Sequence, residues 1–112
     1  MAHPSKRKGD RFELEVARYL SEHGQPYAER LLGAGRRADR GDTTGIPGWV
    51  LECKAEQRLD LAGWVTEAEA ERANGRQRLA GVVAKRRGRG VADSYVLMTL
   101  ATFARLLAEG DS

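Results

Sequence analysis

Short runs with strand character are interleaved with longer amphipathic runs along this chain, and that order limits the fold more than any single residue does. Asp10 to Glu22 reads as a helix, with Asp10 as N-cap, Glu13 three residues later in capping-box position and Gly24 as its stop. Pro26 to Leu32 reads as a first strand. Gly41 to Thr44 and Trp49 to Ala55 read as two more, around the turn Gly45-Ile46-Pro47-Gly48. Asp60 is placed to cap a helix running to about Ala73, with Leu61, Trp64, Val65 and Ala68 on one face and Asn74-Gly75 closing it. Leu79 to Lys85 is an apolar run suited to a buried strand, and Tyr95 to Met98 to another. Thr99 then caps a final helix with Leu100, Phe103, Leu106 and Leu107 at helical spacing, stopped at Gly110. Helix, three strands, helix, two strands, helix predicts an α/β fold: a mixed five-stranded sheet with helices on its faces.

The 112 residues are enough for one small domain, expected over 10–112, preceded by a polar arm over 1–9 that is expected to be mobile. No run approaches the length of a membrane span, and the N-terminus lacks the apolar stretch of a signal peptide, so a cytosolic protein with no membrane partner is expected. Cys53 is the only cysteine, and His3 and His23 the only histidines. Disulfide scaffolds and Cys- or His-based metal clusters within one chain are thereby excluded, and any metal must sit on carboxylate oxygens.

The net charge is only +3, but the cations are bunched. Lys6, Arg7 and Lys8 form one group, Arg30, Arg36, Arg37 and Arg40 a second, and Lys85, Arg86, Arg87 and Arg89 a third, while Glu67, Glu69 and Glu71 make an acidic stretch. Arginine on glycine-punctuated loops suits phosphate contact, because the guanidinium fork matches phosphate oxygens and glycine lets the backbone approach. Three such clusters in so short a chain point to nucleic acid rather than to solvated loops alone. Aromatic residues make up 6% and are not interleaved with the cations, which argues against a base-stacking platform for single strands.

The chemistry is expected in the segment from Gly41 to Lys54. Period-two alternation on the strand puts Val50, Glu52 and Lys54 on one face, and Leu51 and Cys53 on the other. A carboxylate and a lysine side by side on a central strand need a reason, since buried charge costs several kcal/mol unless it is paired or bound to metal. A five-residue loop, Gly45 to Trp49, sets Asp42 opposite Glu52. A four-residue loop sets Asp42 opposite Leu51 instead, so the second carboxylate depends on register. Two adjacent carboxylates can hold Mg²⁺ and leave positions for phosphate and water, with a lysine beside them to position the water or stabilise developing charge. Glu13 falls about 100° round the helix from Phe12, within the arc of Val16, Leu20 and Ala17. It is either a third acid of this site or a capping-box residue bonded to the Asp10 backbone.

A helix glutamate, then an aspartate, then Glu-x-Lys on the following strand resembles the PD-(D/E)xK nuclease superfamily, and within it the small archaeal-type and phage Holliday-junction resolvases. Lys8-Gly9-Asp10-Arg11-Phe12-Glu13 matches that group's Lys-Gly-x-x-x-Glu opening. Arg30 falls where these resolvases carry a strand arginine, and Lys85 where they carry a lysine at the end of a later strand. The likeness runs over roughly residues 8 to 107. Gly41 stands where the family usually has proline, Asp39 is close enough to replace Asp42 as ligand, and the basic loop has no clear match for the serine of the archaeal enzymes. The resemblance implies a restriction-endonuclease-like fold and a homodimer with two Mg²⁺-dependent sites, Mn²⁺ able to substitute. Glu13, Asp42, Glu52 and Lys54 would be catalytic. Metal would sit on Asp42, Glu52 and the Cys53 backbone carbonyl, with Glu13 reaching it through water.

The expected activity is structure-selective cleavage of branched DNA, a four-way junction foremost. A nicking, flap or restriction-type nuclease keeps the same chemistry on another substrate, and a non-catalytic basic DNA-binding protein would make the acids structural. At this length there is no added domain for reading base sequence. Trp64 reads as a core or dimer contact. The preference for arginine over lysine hints at a GC-rich genome such as a phage's, which would place the protein in a bacterial host's cytoplasm.

Overall fold

The computed structural model describes residues 4–26, 28 and 46–110. Helix α1 spans Pro4–Glu22, strand β1 Trp49–Lys54, helix α2 Leu61–Asn74, strand β2 Leu79–Ala84, strand β3 Tyr95–Leu97 and helix α3 Leu100–Gly110. A single 3₁₀ turn, Val91–Asp93, precedes β3.

Helix α1 starts six residues before the predicted cap. The expected arm is therefore helical from Pro4 onward, and Lys6, Arg7 and Lys8 belong to a helix. Proline is at home in a first helical turn, where its missing N–H has no partner to lose, and lysine and arginine are good helix formers. Asp10 lies inside the helix, so no capping box forms there. The buried residues of α1 are Phe12, Glu13, Val16 and Ala17, the arc expected from helical spacing. The strand expected over Pro26–Leu32 fails at Ala28, which is helical, its N–H donating to the Gln25 carbonyl at 3.1 Å. The strand expected over Gly41–Thr44 lies outside the described residues.

The turn into β1 is set by Pro47-Gly48. Proline fixes the first central position, Gly48 takes φ +84°, and the Trp49 N–H closes the turn on the Ile46 carbonyl at 3.1 Å. β1 and β2 then pair in parallel, from Trp49 opposite Leu79 to Lys54 opposite Ala84, with α2 as the crossover between them. β3 runs antiparallel to β2, Val82 facing Leu97 and Ala84 facing Tyr95. Among the described residues the sheet is mixed and three-stranded, in the order β1-β2-β3. The expected five-stranded sheet is not shown.

Helices pack on both faces. On one, Phe12 and Val16 of α1 meet Leu51, Cys53 and Val83. On the other, Trp64 and Ala68 of α2 meet Ala80, Val82 and Ala84. Gly81 lies opposite Leu51, and a Cβ there would come within 3.2 Å of the Leu51 side chain and 3.3 Å of the Trp49 ring, so glycine is what lets those two pack over β2.

α2 begins as its sequence predicts, the Asp60 carboxylate accepting from the Gly63 N–H at 3.1 Å. Its end differs by one residue. The left-handed position is Arg76 (φ 56°), one residue past Gly75, with Gln77 N–H donating to Arg72 O at 2.9 Å and Arg76 N–H to Ala73 O at 3.3 Å. Thr99 caps α3, its hydroxyl accepting from Thr102 N–H at 3.0 Å.

Candidate functional site

The alternation read from the β1 sequence holds in the packing. Leu51 and Cys53 join the α1 core, and their neighbours Val50, Glu52 and Lys54 turn to the α2 face. Glu52 is only 5% exposed. Lys54 reaches across to α2, its Nζ lying 3.0 Å from Glu67 Oε1.

Three carboxylates converge on that face. Glu52, Glu67 and Glu71 each bring an oxygen within 4.8 Å of the others. Glu67 and Glu71 are one turn apart on α2 and fall about 60° and 20° from Trp64 round the helix, so the packing that buries Trp64 swings both acids towards β1. Glu71 Oε1 is enclosed and has no hydrogen-bond partner. Three oxygen donors, one of them with an unused buried lone pair, match the needs of a hard divalent cation such as Mg²⁺ or Mn²⁺.

Sequence reasoning treated Glu67, Glu69 and Glu71 as one acidic stretch and missed that two of them approach Glu52 of β1, Glu71 half-buried and Glu67 at the surface. The signal was present, since the same wheel that singled out Glu13 on α1 sets Glu67 and Glu71 beside Trp64 on α2. Glu69 points elsewhere. Its carboxylate takes Arg72 Nε at 2.7 Å and the Thr102 hydroxyl at 3.0 Å, fastening α2 to α3. Burial alone would raise its pKa, but the bonds from Arg72 and Thr102 and the charges of Arg72 and Arg105 outweigh burial and hold it below the usual carboxylate value.

Of the other predicted site residues, Glu13 is 6% exposed on α1, and it is not part of the three-carboxylate group. Asp42, Asp39, Arg30, Arg36, Arg37 and Arg40 lie outside the described residues. The third basic run adjoins the acids. The Lys85 N–H donates to the Lys54 carbonyl at 2.8 Å, so Lys85, Arg86 and Arg87 leave the sheet beside the end of β1 that carries Glu52 and Lys54. Arg86 sits over the Tyr95 ring, 5.5 Å from its centre, and Arg89 Nη1 lies 3.6 Å from Asp93 Oδ2. Lys85 and Arg87 are exposed.

Searches of protein-family models, curated proteins and solved structures find no match to this chain. Among the described residues no helix is long and apolar enough to cross a membrane. The site's own chemistry is a buried acid, Glu52, with a half-buried and an exposed one beside it, a lysine among them, and a cationic rim at the carboxyl ends of two parallel strands, where open α/β sheets place ligands.

Proposed function

We propose that this chain is a metal-dependent nuclease of the PD-(D/E)xK kind that cuts the phosphodiester backbone of branched DNA, the four-way junction being its preferred substrate. The observation that carries the reading is the meeting of Glu52 and Lys54, spaced as Glu-x-Lys on β1, with Glu67 and Glu71 on the side of α2 that faces the strand. Glu52 is buried while Glu71 is half-buried and Glu67 exposed, so the group runs from the sheet to the surface, where a cation and a phosphate can reach it.

Glu52, Glu67 and Glu71 are the described residues that would hold the cation, with Asp42 and the Cys53 carbonyl as the further ligands that the resemblance implies. When bound, Mg²⁺ supplies Lewis-acid stabilisation of phosphoryl charge and lowers the pKa of water. The protein's own groups do the rest. Lys54, held by Glu67, keeps a positive charge beside the acids to orient the attacking water and offset charge gathering on the phosphate. Lys85 and Arg87 present exposed cations at the rim, suited to the flanking phosphates. Glu13 closes no cap, since the helix runs past Asp10, and it stands on α1 against the opposite face of the sheet from Glu67 and Glu71.

Incubating the protein with a synthetic four-way junction and a matched linear duplex, with and without Mg²⁺, tests the reading. Metal-dependent cleavage of the junction is expected, with Glu52→Gln and Lys54→Ala inactive but still binding DNA. Glu13→Gln tests the role that the resemblance gives that residue: a loss of about a hundredfold in rate, the scale of a positioning or general-base group, would bring it to the site, and unchanged cleavage would make it structural. Equal cleavage of the duplex would keep the chemistry and discard the junction. No metal-dependent cleavage of either substrate would overturn the proposal.

A further inference from the structure

The loop from β2 to β3 opens with Lys85, Arg86, Arg87 and Arg89, and no acid follows until Asp93. Asp93 is itself answered by Arg89, whose Nη1 lies 3.6 Å from its Oδ2. The chain then returns so that Tyr95 pairs with Ala84 and lies beneath the Arg86 guanidinium, 5.5 Å from the ring centre. In the sequence the arginine and the tyrosine stand apart. It is the antiparallel pairing that stacks them.

The strand register also fixes where this pair stands relative to the acids. Lys54 of β1 is opposite Ala84, and Ala84 is opposite Tyr95, so the three form one row across the sheet. Opposed residues share a face, and Ala84 packs against Trp64 and Ala68 of α2. Tyr95 is therefore on the face of Glu52 and Lys54, its backbone about 10 Å from that of the lysine, with only an alanine side chain between them. Tyr95 is 49% exposed, and Lys85 and Arg87, on either side of Arg86, are exposed as well. A Cβ at Gly88 or Gly90 would meet nothing within 4 Å, so the loop is open to a strand approaching from outside.

We propose that Tyr95 and Arg86 form a stacking site for one unpaired nucleobase, the base next to the phosphate that the acids cut. The proposal rests on the nuclease reading for the position of that phosphate, and it adds what the substrate must present: a base free to leave its helix. Such a base has a flat, uncharged face between anionic phosphates. The surface offers the matching parts, an aromatic ring set among cations. Arg86 over one side of the ring holds its orientation and adds a guanidinium plane on which a base also stacks. One ring serves one base and not a run of them, which agrees with the scarcity of aromatic residues among the cations. A branch point is where a base leaves its neighbours at least cost, so the site favours branched DNA over unbroken duplex without reading its sequence.

Binding measured in EDTA, where no metal-dependent cleavage occurs, tests the site separately from the chemistry. The probes are a forked duplex with one unpaired thymine at its branch point, the same fork with an abasic nucleotide there, and a matched linear duplex. The wild type should bind the thymine fork about tenfold more tightly than the abasic fork, the scale of one base on one aromatic ring. Tyr95→Ala should bind the two forks alike. Tyr95→Phe should keep the preference, because the ring and not the hydroxyl stacks. All three proteins should bind the linear duplex equally and melt together, since the residue is already half in solvent. Equal binding of the two forks by the wild type would overturn the proposal, as would a Tyr95→Ala protein that still prefers thymine. So would a loss in Tyr95→Ala that falls equally on fork and linear duplex. A protein that shows the thymine preference and its loss in Tyr95→Ala, yet cuts no DNA, would keep the base site and lose the nuclease.

Discussion

Both faces of the sheet have an apolar core, but strand β1 contributes opposite materials to the two. Against α1, β1 presents Leu51 and Cys53 to Phe12 and Val16, an apolar contact that stabilises by removing hydrocarbon from water. Against α2, the same strand presents Glu52 and Lys54 to Glu67 and Glu71. Residues one position apart thus stand in a dry core and in a charged pocket. Burial of hydrocarbon accounts for the first contact and for Trp64 and Ala68 on the second face, but not for the acids beside them. Three carboxylates within 4.8 Å of one another are brought together on that face, with the Lys54 ammonium 3.0 Å from one of them as a compensating charge.

Neighbouring substitutions on β1 give the largest contrast. Leu51→Ala should destabilise the protein by about 3 kcal/mol, through lost burial and the cavity left under α1. Glu52→Gln should leave the midpoint of metal-free unfolding unchanged or higher, since it removes one of three crowded charges, while cleavage falls by three orders of magnitude or more. Urea melts of both variants beside the junction assay would show it. If Glu52→Gln destabilises as Leu51→Ala does and nothing else changes, the α2 face is structural like the other.

The difference between the faces also explains what could be read before folding. Apolar alternation on Trp49–Lys54 and the apolar run Leu79–Ala84 set the strands, because burial of those side chains is the dominant local force and it follows a period of two. Asp60 and Thr99 marked helix starts through hydrogen bonds that need only short-range geometry. Pro4 to Gly9 was misread because polarity was taken for lack of structure, although lysine and arginine continue a helix readily. Ala28 was misread because a short stretch between Pro26 and Leu32 has no decisive period. Glu52, Lys54 and Glu13 stood out in the sequence because each breaks an apolar pattern, and of the three only Glu52 and Lys54 join the acids of α2. Glu67 and Glu71 did not stand out, since on a helix with many acids only the partner element decides which ones turn towards it.

A middle-sized effect separates the acid that fastens the α2 layer from those that crowd it. Glu69 is ionised with a pKa below its ordinary value, held there by Arg72 and Thr102 against the opposing effect of burial. A group whose folded-state pKa is depressed stabilises the protein fully above its unfolded value of about 4.3, and that contribution disappears as pH falls through the folded value. Glu69→Gln should therefore cost roughly 1 kcal/mol at neutral pH and almost nothing in acid below both values. Melts of the wild type and the variant should converge as pH is lowered. A gap between them that persists unchanged into acid would mean that shape, not charge, makes Glu69 the link between α2 and α3.

The smallest expected effect asks whether the charged layer can gain stability away from its acids. Arg76 ends α2 in the left-handed region at φ 56°, where a side chain crowds its own backbone, while Gly75 before it sits at an ordinary φ of −88°. Arg76→Gly relieves that crowding but gives the unfolded chain more freedom, and the two effects partly offset each other. A net gain of about 0.5 kcal/mol is expected, seen as a rise of a few degrees in the melting midpoint, with the bonds from Gln77 and Arg76 to the last turn of α2 unchanged. Cleavage should be unaltered, because Arg76 is exposed and lies beyond the end of α2 remote from Lys54 in the parallel β1–β2 register. A fall in the midpoint would show that the Arg76 side chain does more for the fold than its strained backbone costs. A rise accompanied by weaker DNA binding would instead extend the cationic surface from the β2 end, where Lys85 and Arg87 stand, to the opposite end of the same layer.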